Sequence, residues 1–201
     1  MIENLDDETY LNIYKDRYII YLFDKKKNQT LYKDQLITES NNGSVDFDLL
    51  SKFLDRNIFK IEKKIDNFIK NIFIVLENDE ILDLNFGIKK KNYTKEINKN
   101  DLENILRDAK ELFEENNQNQ IIMHIIIKNY IINEKKYNSF QNNLNSPNLG
   151  LEINIMSISE NLSQKFNKVL EKYQIKINRF LNAYYIKKFY HHQLKFLRNA
   201  L

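Results

Sequence analysis

The chain has 201 residues, with no Cys, no Trp, one Pro and three Gly, against roughly 14 Gly and 10 Pro in ordinary usage. Gly43, Gly87 and Gly150 lie tens of residues apart, so no dinucleotide loop, Walker loop or hydrolase elbow can be built, since each needs closely spaced glycines. Without Cys there are no disulfides, thiolate zinc sites or thiol nucleophiles. The net charge of +3 is segregated: residues 163–201 carry nine Lys/Arg against one acid, Glu171, and the rest holds 22 basic and 27 acidic residues. A basic last fifth on a mildly acidic body fits an anionic partner at that end.

Taken in chain order, residues 10–23 (YLNIYKDRYIIYLF) and 30–37 (TLYKDQLI) are rich in Tyr, Ile and Leu and flank a polar turn at 25–29. They predict a β-hairpin with room for a third strand. Asp46 is a good N-cap for a helix over 47–70. Its apolar positions Leu50, Phe53, Leu54, Ile58, Ile61, Ile65 and Phe68 recur three and four apart. A strand follows at 71–77 (NIFIVLE), then a second apolar segment at 81–88 and a basic run, Lys89, Lys90 and Lys91, near Tyr93.

Asn98 and Asp101 have the spacing of a capping box. They open a helix whose apolar face is Leu102, Ile105, Leu106, Ala109, Leu112 and Phe113. Residues 121–132 read as a buried strand and 149–157 (LGLEINIMS) as an alternating one. A helix from Ser159 to Tyr173, a short strand at 175–181 and a last helix from Asn182 to Ala200 complete the order. Interspersed strands and helices with short connections predict an α+β fold.

From residue 49 to about 189 the order and local phrases resemble the actin-like bacterial cell-division protein FtsA, in particular its inserted SHS2 subdomain, 1C. FIKNIFIVLEN (68–78) sits where that family has its first SHS2 strand. EINKNDLENILRDAKEL (96–112) resembles its helix entry, with Asp101 matching the aspartate. IIMHIIIKNYIIN (121–133) resembles its most distinctive phrase, with His124, Tyr130 and Asn133 in place. LGLEINIMSIS (149–159) and VLEKYQIKINRFLNAYYIKKF (169–189) resemble the later strand and the stretch leaving the subdomain.

The departures are equally informative. Lys128 replaces the family's proline, a shortened NNLNSPNLG (142–150) replaces its Pro/Gly loop, and Leu11, Asn12, Ile13 and Tyr14 stand where a phosphate loop belongs. Nothing within these 201 residues resembles the family's 2A and 2B subdomains. The resemblance implies an SHS2-like sheet with helices on one face, plus a partial actin-1A-like layer of hairpin and helices. The expected organisation is 1–67 for the hairpin and long helix, 68–172 for the SHS2-like domain and 173–201 for a return strand and basic helix. It further implies a non-catalytic cytoplasmic division scaffold with no cofactor and no metal, acting through other division proteins or a further copy of itself.

Two surfaces are candidates for contact. Lys89, Lys90, Lys91 and Tyr93 form a basic run able to grip phosphate or an acidic peptide, or else a solvated hairpin tip. In the last helix, Ile186, Phe189, Tyr190, Leu194, Leu197 and Leu201 fall within an apolar arc of roughly 160°. Lys187, Lys188, Lys195 and Arg198 lie opposite. This is the pattern of a basic amphipathic helix in a membrane interface, although the same apolar arc would serve to cover the hairpin sheet. An anionic membrane surface is therefore an alternative partner. Nucleic acid is a weaker one, because the aromatics sit on the apolar side, away from the lysines. His124 lies in an apolar strand and reads as structural. His191 and His192 diverge by about 100° on a helix and cannot chelate together.

Overall fold

The computed structural model describes residues 7–38, 44–77, 79–91, 96–141 and 144–189, with side chains described to Lys187. The described elements are β1 (Asp7–Ile13), β2 (Arg17–Asp24), β3 (Gln29–Ile37), α1 (Phe47–Ile65), β4 (Asn71–Leu76), β5 (Leu82–Lys91), α2 (Lys99–Asn116), β6 (Gln120–Ile132), β7 (Lys135–Tyr137), β8 (Asn148–Ser159), α3 (Glu160–Glu171), β9 (Lys176–Asn182) and α4 (Ala183–Phe189). The fold is α+β. It divides into two compact units, one of Met1–Glu80 with Asn161–Leu201, the other Ile81–Glu160.

The first unit is built on a five-stranded sheet in the order β3-β2-β1-β4-β9. The β1–β2 and β2–β3 pairs are antiparallel, and β4 runs parallel to both β1 and β9. β2 is buried over Tyr18–Leu22 without alternation, as strands covered on both faces are. One face carries Tyr10, Ile19, Tyr21 and Val75 with Ala183 and Ile186 of α4. On the other, Tyr18 packs near Phe53 of α1. Phe166 of α3 stands edge-on to Phe47 at 5.0 Å and tilts toward Phe180 at 5.9 Å. Asp46 caps α1 by accepting from the Leu49 N–H at 2.9 Å, and its backbone is pinned by the Tyr18 hydroxyl.

The second unit is a four-stranded antiparallel sheet in the order β5-β8-β6-β7. Ile105, Ala109 and Phe113 of α2 cover Leu149, Leu151, Ile153 and Ile155 of β8. Asn98 accepts from the Asp101 N–H while the Asp101 carboxylate accepts from the Asn98 N–H, a complete capping box.

Several expectations change in detail. The third strand for which the hairpin had room lies within residues 10–23: a turn at Tyr14, Lys15 and Asp16 divides them, closed by the Tyr14 N–H donating to the Arg17 carbonyl at 2.9 Å. No Gly or Pro marks it. Residues 71–76, expected to open the SHS2-like domain at residue 68, instead lie between β1 and β9 in the five-stranded sheet. The helix expected to close that domain at 172 packs through Phe166 and Leu170 in the first unit. The hairpin layer is therefore a full mixed sheet, and the inserted unit spans 81–160. It carries one described helix, α2. The physical reason is pairing: a buried central strand such as β4 is fixed by its two neighbours, which come from opposite ends of the chain.

Candidate functional site

β1, β4 and β9 are parallel, so Ile13, Leu76 and Asn182 end at the same edge of the sheet. In sheets of this kind ligands bind beyond the carboxyl ends of the strands. Here that edge is occupied by side chains of the unit itself. The Glu77 N–H donates to the Ile13 carbonyl at 2.9 Å, extending β4 past β1. The Glu77 carboxylate then accepts from Lys187 at 3.1 Å and from the Tyr184 hydroxyl at 3.2 Å. Both partners come from α4, which the Asn182 side chain starts by accepting from the Tyr185 N–H.

The Lys187 ammonium also lies 5.1 Å from the centre of the Tyr14 ring, and the Arg17 guanidinium lies 5.4 Å from the same ring. Lys15 pairs with Asp79 at 2.6 Å. Burial, then the Glu77 charge, pushes the Tyr14 hydroxyl up to about 12. The position that the resemblance assigned to a phosphate loop thus holds a tight turn whose aromatic ring is flanked by cations. Each of these cations has an ionic or aromatic partner. Such a cluster fixes α4 to the sheet edge. Among the described residues no three His, Asp or Glu side chains converge as a metal site.

The sequence places Tyr14 at the phosphate-loop position and Tyr184 in the basic last fifth, but gives no sign that they meet Glu77. The signal for Glu77 is faint: it follows directly on an apolar strand, where a charge marks the strand end.

Ile186, expected on the membrane-facing arc, is only 6% exposed and packs among Tyr14, Ile19, Tyr21, Val75 and Ala183. Lys187 points to Glu77. This part of the last helix therefore covers the sheet, the role that its apolar arc equally allowed. Lys188 and Phe189 continue α4 in backbone. Tyr190, Leu194, Lys195, Leu197, Arg198 and Leu201 lie outside the described residues, as do His191 and His192. His124 is buried on β6.

The basic run is strand, not hairpin tip: Lys89, Lys90 and Lys91 end β5 and are all exposed. Lys90 reaches Asp108 of α2 at 2.5 Å. Lys89 lines a cavity of about 300 Å³ with Ile131, Glu134, Ser146 and Pro147. Tyr93 lies outside the described residues. β5 pairs only with β8, so its other side is a free sheet edge among the described residues.

No protein-family model matches the sequence, and no curated protein matches it either. Solved structures do. A "PilM-PilN type IV pilus biogenesis complex" aligns with 87% of this chain and 47% of its own at TM-score 0.53 and 8% identity. The cytoplasmic domain of EpsL, an inner membrane component of the type II secretion system of Vibrio cholerae, aligns over 88% and 55% at 0.40 and 9%. A Bacteroides thetaiotaomicron protein with "actin-like ATPase fold and unknown function" aligns over 88% and 55% at 0.30 and 14%. The first of these likenesses shows the fold alone: the chain shares the α+β architecture of part of that complex. The chain spans about half the length of the structures it matches. None of the described helices is long and apolar enough to cross a membrane.

Proposed function

We propose that the chain is a non-catalytic scaffold on a partial actin-like fold, working by protein contacts in a bacterial multiprotein assembly on the cytoplasmic side of the membrane. The observation that carries this reading is the carboxyl edge of the first sheet. There Glu77, Lys187, Tyr184 and Tyr14 engage one another at the position that the sequence resemblance assigned to a phosphate loop. Cell division is the process to which the sequence resemblance points. The named pilus complex, a neighbour in fold, supports assembly work in general.

Two measurements test the reading. Titration with a fluorescent ATP analogue and Mg²⁺ should give no saturable binding; binding at micromolar concentration would overturn the non-catalytic assignment. Affinity capture from the native host should recover division proteins, and recovery of pilus or secretion components alone would reassign the assembly.

The segregated +8 charge of residues 163–201 supports a peripheral position at an anionic membrane. Co-sedimentation with vesicles containing anionic lipid should weaken with salt and fall on deletion of 190–201. Indifference to both changes rejects that position.

A further inference from the structure

β5 is an unusual edge strand. It is ten residues long, has no Pro, and runs in unbroken register with β8 from Leu82 to Lys91. Proteins ordinarily blunt such edges with bulges, prolines, short strands or charge. Among the described residues charge is the only device: Lys89, Lys90 and Lys91 at one end and Asp83 near the other. Lys90 is drawn to Asp108 on the α2 side. On the opposite side of the strand lie Asp83, Asn85, Gly87, Lys89 and Lys91, because side chains alternate.

We propose that β5 pairs antiparallel with β5 of a second copy of this chain, Phe86 opposite Phe86, joining two four-stranded sheets into one of eight. A two-fold axis perpendicular to the sheet keeps each face on its own side, so only registers that match faces are allowed. With Phe86 on the axis, Leu84 lies opposite Ile88 and Asn85 opposite Gly87. Asp83 lies opposite Lys89, and the symmetry makes that ion pair twice. Opposite charges directly across an antiparallel pair are favourable and like charges unfavourable. Asp83 uses one carboxylate oxygen to accept from Asn154, which leaves the other for the partner lysine.

Alternative registers fit less well. Moving the axis to Asn85 places Asp83 opposite Gly87 and loses both ion pairs. Moving it to Gly87 pairs Asp83 with Lys91 but sets Leu84, inside the pairing, against Lys90; with Phe86 on the axis the corresponding mismatch is Leu82 against Lys90, at the end of the strand. Lys89, which discourages pairing with other strands, is thus matched by the strand's own acid, Asp83. This self-complementarity favours a second copy over an unrelated peptide.

The chain contains no Cys, so introduced thiols report the register cleanly. Residues directly opposite in an antiparallel pair have Cα atoms about 4.5–5.5 Å apart, within disulfide reach. Diagonal neighbours stand about 7–8 Å apart, beyond it. Both positions tolerate the change: Asn85 is exposed, and Asn154, which donates to it, also donates to Asp83, while a Cβ on Gly87 meets nothing closer than 3.8 Å. Under mild oxidation an equimolar mixture of Asn85→Cys and Gly87→Cys chains should cross-link at least tenfold faster than either variant alone. Equal rates would overturn the proposal, as would a protein that sediments as a monomer at every concentration.

Charge exchange gives an independent test. Lys89→Asp should weaken self-association about tenfold, and Asp83→Lys should do the same. Mixing the two variants should restore it, because each acid then faces a lysine. Failure of the mixture to recover association, with both variants folded by circular dichroism, would refute the pairing. If Asp83→Lys does not fold, the cysteine pair decides.

Discussion

Replacing Ile186 by Ala asks whether the last described helix belongs to the core of the first unit. Ile186 is 6% exposed and lies among Tyr14, Ile19, Tyr21, Val75 and Ala183. The change removes three buried carbons, at about 0.8 kcal/mol each, or roughly 2.4 kcal/mol in transfer alone. A cavity term adds to this, and measured Ile→Ala losses run about 2–5 kcal/mol. α4 is short and free to settle toward the gap, and Ala gains slightly in helix propensity. The expected loss is therefore about 2–3 kcal/mol. Because the chain has two units, one thermal midpoint is a poor measure; site-resolved amide exchange is a better one. At about 1.4 kcal/mol per tenfold, the most protected amides of β1 and β2 should exchange about 30 to 150 times faster. Unchanged protection there, together with a loss of vesicle binding, would refute the packing argument and return Ile186 to the membrane-facing arc.

Other outcomes follow from the same structure. Asn98→Ala removes the acceptor of the α2 capping box and should cost about 1 kcal/mol, read as faster exchange at the start of α2. Gly150→Ala places a Cβ 3.1 Å from Cβ of Ile131 across the β6–β8 pair; it should destabilise the second unit by about 1–3 kcal/mol, measured by urea unfolding. Tyr14 is pushed up to about 12 by burial and then by Glu77, and Tyr10, Tyr21 and Tyr173 are also raised, chiefly by burial. These groups favour the fold fully below pH 10, and that stability is lost as pH rises from 10 through the raised values. Absorbance at about 295 nm should therefore show tyrosine ionisation coinciding with loss of circular dichroism. Asp55 is lowered by hydrogen bonds from Lys172 and Tyr173, and Glu152 by those from Lys136 and Asn129. Their contribution is present above about pH 4–4.5 and lost as pH falls below it. Lys172→Ala should raise the Asp55 value in a carbon-detected NMR titration.

Local features of the chain were largely readable. The three-and-four spacing of Leu50, Phe53, Leu54, Ile58 and Ile61 produced α1, capped by Asp46. The Asn98–Asp101 spacing produced the α2 capping box. Alternation over 149–157 lies within β8. These succeed because capping and amphipathic periodicity depend on neighbours a few residues away. The turn at Tyr14, Lys15 and Asp16 has no clear mark in the sequence because it uses no Gly or Pro, and the Tyr-rich strands on either side merge into one apolar run. The candidate site was half legible. The lysines of β5 were visible as a basic run, but their place on a sheet edge was not. Ile186 and Lys187 were visible as two sides of a helix, whereas the Tyr14 and Glu77 that receive them lie more than a hundred residues away.

By itself the sequence determined the α+β class, the positions of most strands and helices, their caps, the exclusion of glycine-loop and thiol chemistry, and the charged last fifth. These follow from composition and short-range pattern. Only the tertiary structure decided which sheet each strand joins. It placed β4 between β1 and β9, reduced the inserted unit to 81–160, and set the Glu77–Lys187 ion pair at the carboxyl edge of the first sheet. The reason is that strand pairing and ion pairing are long-range. An apolar strand such as NIFIVL is compatible with many neighbours, and only the assembled sheet selects which of them bury it.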